Sequence, residues 1–233
     1  MENLQVYQIN CIVYMMKNTP LTHVLEKISN FIDTGLGKND KMLDFHESRG
    51  FKNYSHSGFK EIEKDKIYKK GKIYTFSIRC ADVVLREYLT KTLPCTSTGT
   101  MKGIITTVKF IPKMYIEKIY TLTPALLKLE AGYWRGEIDF SIFEKKITEN
   151  AIKKAKSIIG EFDKDFVLFK DIKILNQKPI ASRYKNISLL GDKFELCIAD
   201  NEKAQQIAYI LLATGVLEGN PRGYGFVNYK SGN

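Results

Sequence analysis

Arg222-Gly223-Tyr224-Gly225-Phe226-Val227-Asn228-Tyr229 meets every position of the first ribonucleoprotein signature, Lys/Arg-Gly-Phe/Tyr-Gly/Ala-Phe-Val-x-Phe/Tyr. In an RNA-recognition motif that segment is an interior strand, with a helix and another strand still to come. Here four residues follow Tyr229, so a different fold is expected. What the stretch specifies is a glycine-rich loop, begun by Gly215 and Gly219, that runs into an aromatic last strand. Clustered glycines let a backbone approach a ligand closely. A nest of outward N–H groups suits phosphate oxygens, and Arg222 adds a bidentate partner for a phosphate or base edge. Strand alternation sends Phe226 to the core and leaves Tyr224 as the exposed candidate for base stacking. No Gly-Lys-Ser/Thr occurs, and Asn228 stands where GxGxxG needs glycine, so the P-loop and dinucleotide fingerprints are excluded.

Working outward, residues 4–15 read as a strand, being β-branched and aromatic. Thr22 is the expected cap of a helix marked by Leu21, Leu25, Ile28 and Ile32, which Gly35 and Gly37 stop. An irregular segment covers 38–60. A strand at 72–80, a helix at 81–92 and a long strand at 103–117 complete the first half. The second half repeats the rhythm. A strand falls within 117–129, and a helix at 141–159 ends at Gly160. Segments 166–178 and 183–199 pair as a hairpin. Asp200 or Asn201 caps a helix at 201–213, and the last strand is 224–230. Two successive βαββαβ units predict an α+β chain of two tandem ferredoxin-like domains, 1–117 and 118–233, packed together.

The chain has 233 residues with 44% apolar content, enough for two small cores. Its 36 Lys and Arg against 26 Asp and Glu give a formal charge of +10, shared almost equally by the halves. Such an excess favours a polyanionic partner and makes binding salt-sensitive. Cys11, Cys80, Cys95 and Cys197 form no CxxC pair, so zinc and redox motifs are missing and no metal or cofactor is expected. No apolar run approaches a membrane span and no signal sequence opens the chain. A cytoplasmic protein with no membrane partner is expected.

The second constellation is His46-Glu47-Ser48-Arg49-Gly50-Phe51-Lys52, followed by Asn53-Tyr54-Ser55. The separation of His46 and Lys52 suits a loop that folds both inward. RNA can be cut by its own 2′-hydroxyl if a base takes the 2′ proton, an acid protonates the departing 5′ oxygen, and a cation steadies the phosphorane. Imidazole titrates near neutrality and serves as base or acid; lysine serves as the cation. His23 and Tyr54 are further catalytic candidates. The blander readings are a locally bonded loop histidine at 46, a helix-start histidine at 23, strand-edge packing for Tyr54 and a solvated turn histidine at His56.

These features resemble the CRISPR-associated endoribonucleases of the RAMP superfamily, which process precursor CRISPR RNA. The tandem layout covers the whole chain. Gly215–Gly225 resembles the family's glycine-rich loop, and His46-Glu47-x-x-Gly50-x-Lys52 resembles its first-domain catalytic segment. The resemblance implies metal-independent cleavage of CRISPR repeat RNA to 2′,3′-cyclic phosphate and 5′-hydroxyl ends, with His46 catalytic and Lys52 assisting. It implies RNA contacts at Gly215, Gly219, Arg222, Gly223, Tyr224 and Gly225. It also implies partnership with CRISPR effector subunits, and a monomer or homodimer. Two departures stand out. Phe31 occupies the place where several members carry a helix tyrosine, and the loop opens Gly215-Val216-Leu217 rather than Gly-x-Gly.

Arg183 and Lys185, at a hairpin tip, are the remaining RNA-contact candidates. Lys145, Lys146, Lys153, Lys154 and Lys156 read as a water-facing helix stripe, and Trp134 as a domain-interface anchor. Two alternatives to the nuclease remain at this point. One is a non-catalytic RNA-binding subunit of a CRISPR ribonucleoprotein, for which Phe31 is the best support. The other is a small-ligand regulator, for which binding would barely depend on salt.

Overall fold

The computed structural model describes residues 4–47, 50–163 and 165–232; the side chains of residues 45–47 lie outside the description. The first unit runs β1 (Val6–Met15), β2 (Thr19–Pro20), α1 (Val24–Leu36), α2 (Asp40–Glu47), β3 (Tyr54–Phe59), β4 (Ile67–Tyr68), β5 (Ile73–Cys80), α3 (Val83–Thr92) and β6 (Met101–Ile111). The second runs β7 (Ile116–Thr121), α4 (Phe140–Ile159), β8 (Phe169–Ile174), β9 (Ile180–Tyr184), β10 (Ile187–Gly191), β11 (Phe194–Ile198), α5 (Glu202–Thr214) and β12 (Val227–Ser231). The main sheets are antiparallel, with orders β3-β5-β1-β6 and β12-β7-β11-β8. Each is second-third-first-fourth in its own unit, the ferredoxin-like order. The expected α+β architecture is present in both units.

Alternation in β1 decides which face is covered. Ile9, Cys11 and Val13 pack under Ile28, Phe31 and Ile32 of α1 and Leu85 and Leu89 of α3. Burial of each large apolar side chain contributes about 2 kcal/mol. The second core joins Phe143 and Ile147 of α4 and Ile207 and Leu211 of α5 to Ile119 and Leu196 of the sheet. The other face of the first sheet is polar. Arg79 donates from Nε to Gln8 Oε1 at 2.9 Å and from Nη1 to the Val227 carbonyl of β12 at 2.7 Å. Its guanidinium also lies over the Phe226 ring, 4.8 Å from the centroid. Burial pulls its pKa down to about 10, so this cation is a desolvated tie between the units.

Several elements differ from the sequence expectation. The strand expected over 103–117 is two strands, because Pro112 follows β6 and cannot continue a ladder. The segment 38–60 is not irregular but holds α2 and β3. Thr22 does not cap α1; a 3-10 turn at Leu21–His23 precedes it, and Thr22 Oγ1 lies 3.2 Å from His23 Nδ1 instead. Asn201, by contrast, caps α5 through Ala204 N–H at 2.8 Å. The 166–178/183–199 pairing is real where Ile174 meets Phe194. Beyond that the chain leaves the sheet as the separate hairpin β9–β10. Asn176 ties off the neck, donating to Asp192 Oδ1 at 2.7 Å and accepting from Lys193 N–H at 2.6 Å. Trp134 is no domain-interface anchor. It stacks on Phe143 at 4.3 Å inside the second core and donates to Asp192 at 2.8 Å. No helix among the described residues is long and apolar enough to cross a membrane.

Candidate nucleic-acid interface

The glycine loop joins α5 to β12 and is closed by its own backbone. Val216 N–H donates to the Gly225 carbonyl (2.9 Å), Glu218 N–H to Leu126 (3.0 Å) and Gly225 N–H to Pro124 (2.8 Å). Arg222 and Tyr224 N–H both turn to the Gly219 carbonyl, and Gly223 N–H to Asn220. Gly215 N–H caps α5 through Leu211 at 2.8 Å. These donors are spent within the fold, so the outward nest expected from the sequence does not form at them. The glycines serve close packing instead. Gly225 has φ +63, and a Cβ there would overlap the Val216 carbonyl oxygen. Gly223 has φ +86, and a Cβ would run into the His56 ring. Leu217 carries φ 54 without being glycine, a strained choice costing about 1 kcal/mol.

The loop is seated on the first unit, on α1 and β3. His56 is fully buried beneath Gly223, its Nδ1 donating to the Ser57 carbonyl at 3.0 Å. It is not a solvated turn histidine. Burial pulls its pKa down to about 4, opposed by the carbonyls of Ser57 and Pro221. Ser55 Oγ donates to the Ala213 carbonyl at 2.8 Å, and Ser29 Oγ reaches the Pro221 carbonyl at 3.4 Å. Tyr224 is only 1% exposed and belongs to the first unit's core. The expectation that it stacks on bases is therefore corrected: its ring anchors one unit in the other, and burial lifts its pKa to about 12. Phe226 is buried, as alternation indicates.

Arg222 is the exposed cation of the loop. Its guanidinium stacks on Tyr184 of β9, 4.5 Å from the ring centroid. The hairpin tip folds back onto α1, where Lys185 N–H donates to Glu26 Oε1 at 3.1 Å. Arg183 is exposed on the same strand, and Lys185 lies beside the same aromatic ring. The loop and the hairpin thus bring Arg222 and Lys185 to one ring, while strand alternation sends the exposed Arg183 to the other face of β9. Where the loop ends, a cleft of about 990 Å³ opens between the units. Lys60, Lys66, Lys109, Lys193 and Arg79 line it against Asp65, the one lining carboxylate among the described residues.

His46 falls in the last turn of α2, which packs on α1, so it is helical rather than on a loop; its side chain is outside the described residues. Lys52 follows just before β3 and is half-buried, and burial lowers its pKa. Tyr54 opens β3 with its side chain 1% exposed. Burial, then the Asp33 carboxylate, pushes its pKa well above the usual phenol value, which makes it a poor proton donor. His23 stands at the opposite end of α1 from the turn into α2. Phe31 is fully buried edge-on to Phe76 at 6.2 Å, so this position addresses the core. On α1, Ser29 meets the loop at the Pro221 carbonyl and also reaches Asp33, one turn on, at 3.4 Å. Among the described residues, no group of His, Cys, Asp and Glu is arranged to hold a metal ion.

Sequence reasoning missed one residue of consequence. Lys154 is not in a water-facing stripe but 2% exposed inside the glycine loop. The signal was available, since Ile147, Ala151 and Ala155 mark the inner face of α4 and position 154 falls on it.

No protein-family model and no curated protein matches the sequence. Solved structures do. A CRISPR-associated protein Cas6 is 17% identical, with a TM-score of 0.69 over 97% of this chain and 100% of its own. A RAMP protein that binds different RNA substrates is 14% identical, with a TM-score of 0.69 over 97% and 100%. A Cas6-related protein from Pyrococcus furiosus is 16% identical, with a TM-score of 0.67 over 97% and 98%. The fold is the one these Cas6 and RAMP structures share. The likeness runs nearly end to end in both partners, so it includes the Cas6-like tandem of units and not one unit alone.

Proposed function

We propose that the chain is a Cas6-type endoribonuclease that cleaves CRISPR repeat RNA without a metal ion. The observation that carries the proposal is that α1 bears both α2 and the 3-10 turn of the glycine loop, one from each unit, with a lysine-lined cleft opening at its N-terminal end. A single ribose-phosphate strand can then touch both. Arg222, with Arg183 and Lys185, grips phosphates. Gly215, Gly219, Gly223 and Gly225 act indirectly, by letting the loop close tightly enough to present Arg222.

At the scissile phosphate the 2′ oxygen attacks phosphorus while its proton passes to a base. The bond to the 5′ oxygen breaks as that oxygen takes a proton. The products are a 2′,3′-cyclic phosphate and a 5′-hydroxyl. His46 supplies acid–base catalysis, and Lys52 stabilises charge on the phosphorane. Tyr54 carries no step, being enclosed; His23 stands beside β9 at the end of α1 that lines the cleft and is the second histidine candidate for proton transfer. Under this reading the partners are repeat RNA and subunits of a CRISPR effector complex, with the protein a cytoplasmic monomer or homodimer.

The test is incubation of purified protein with the host's repeat RNA in EDTA, followed by end analysis. Discrete cleavage to a cyclic phosphate supports the proposal. Binding without cleavage assigns the chain to the non-catalytic alternative, which the buried Phe31 does not by itself favour, since that position addresses the core.

A further inference from the structure

Lys154 presents a problem that its surroundings answer. A buried ammonium without partners is among the most unfavourable groups a fold can hold. Among the described residues no carboxylate pairs with it. Its Nζ donates instead to the Gly215 carbonyl (2.8 Å), the Leu217 carbonyl (2.6 Å) and Asn220 Oδ1 (2.6 Å), with the Thr214 carbonyl at 3.5 Å. Three N–H bonds meet three close acceptors, which only the charged form can satisfy. All the acceptors come from one stretch, 214–220. Asn220 passes the constraint on: its Nδ2 donates to the Val216 carbonyl at 3.0 Å and the Tyr224 carbonyl at 2.9 Å. The cation of α4 and the amide of the loop thus form the hub around which the whole turn is wound. The strained Leu217 is among the residues whose carbonyls it holds.

We propose that Lys154 is a positioning residue for RNA: its ammonium, standing inside the glycine loop, sets the course of residues 214–224 and so the station of Arg222 against the nucleic acid. The inference rests on the RNA-binding reading of the loop given above. Lys154 touches no substrate. Its influence is conditional on charge, because a neutral amine offers two N–H bonds and turns a lone pair toward a carbonyl. Burial draws its pKa down to about 7, while Glu218 pulls it back up. Glu218 is the ionic group of the loop that acts on it, with Lys128 beyond at 3.9 Å. Around the ammonium itself, the end of α5 and the loop present carbonyls and the Asn220 amide. The latch is therefore closed below neutrality and loosens as pH rises through that region.

The experiment uses the full chain and Lys154→Met, which keeps length and removes charge. Amide hydrogen exchange is read at Val216, Glu218 and Gly225, and at Ile207–Leu211 of α5 as an internal reference. Binding of 5′-fluorescein-labelled repeat RNA is measured in parallel, with Arg222→Ala as comparison. We expect loop protection to fall about tenfold or more with the reference unchanged. RNA affinity should fall about tenfold at pH 6.5, near the loss given by Arg222→Ala. In the parent, loop protection corrected for intrinsic exchange should decline from pH 6.5 to 8.5. This arm needs no variant and stands even if Lys154→Met does not fold. Unchanged loop protection in both arms overturns the inference. So does a loosened loop with full RNA affinity when Arg222→Ala binds poorly. Failure of the parent to bind RNA, or full affinity in Arg222→Ala, instead overturns the RNA-binding reading of the loop.

Discussion

The glycine loop of the second unit and the passage into β3 of the first, at residues 50–52, are held in opposite ways. In the loop most backbone donors and acceptors have a partner within the fold, a buried lysine fills the centre, and two glycines allow contacts that no Cβ could survive. In the passage, Gly50 has open space on its Cβ side, Phe51 is 44% exposed and Lys52 is half in water. The loop is a rigid cradle that presents a cation. The passage holds side chains near solvent, where they can exchange protons. A site built from both gains a fixed place for the strand and a wet place for chemistry, and neither region could easily serve the other's purpose.

The contrast can be broken most readily by giving the cradle side chains it cannot hold. Gly225→Ala combines a positive φ with overlap on a carbonyl and should cost about 4 kcal/mol in urea unfolding. Next comes acid. His56 is held neutral in the fold with a pKa of about 4 and must take up a proton on unfolding. Between pH 6.5 and 4 the unfolded chain binds the extra proton. Stability is therefore full above that window, falls as pH drops through it, and bottoms out below it, by about 3 kcal/mol in all. His56→Gln should flatten that part of the profile. Arg222→Ala should leave stability alone, raise the RNA Kd about tenfold and reduce the slope of log Kd against log salt by about 1. Gly50→Ala, on the other side of the comparison, should change stability by less than about 0.5 kcal/mol. A large loss there would mean that the passage is as tightly built as the loop.

The sequence disclosed the architecture more fully than the site. Strand alternation in 4–15, the inner stripe of 141–159 and the asparagine cap at 201 are local signals. The β9–β10 hairpin escaped because its strands continue the alternation of β8 and β11. The ties across the neck, Asn176 to Asp192 and Lys193 to Asn176, separate them. At the site, residue type misled where burial decided. Tyr224 and His56 look like surface groups in the sequence, but each is covered by the other unit. Lys154 was hidden by its neighbours Lys153 and Lys156, although its place on the apolar face of α4 was legible. Long-range burial of polar groups is a property of how the units pack, and a linear pattern carries little of it.

The central claim is that a histidine in the last turn of α2 performs chemistry at a strand that the cradle merely holds. Single-turnover cleavage and equilibrium binding of repeat RNA by His46→Ala measure this directly. The account predicts a rate lower by about 100-fold or more with a Kd within about threefold of the parent. Cleavage at the parental rate would contradict it, as would a loss confined to binding.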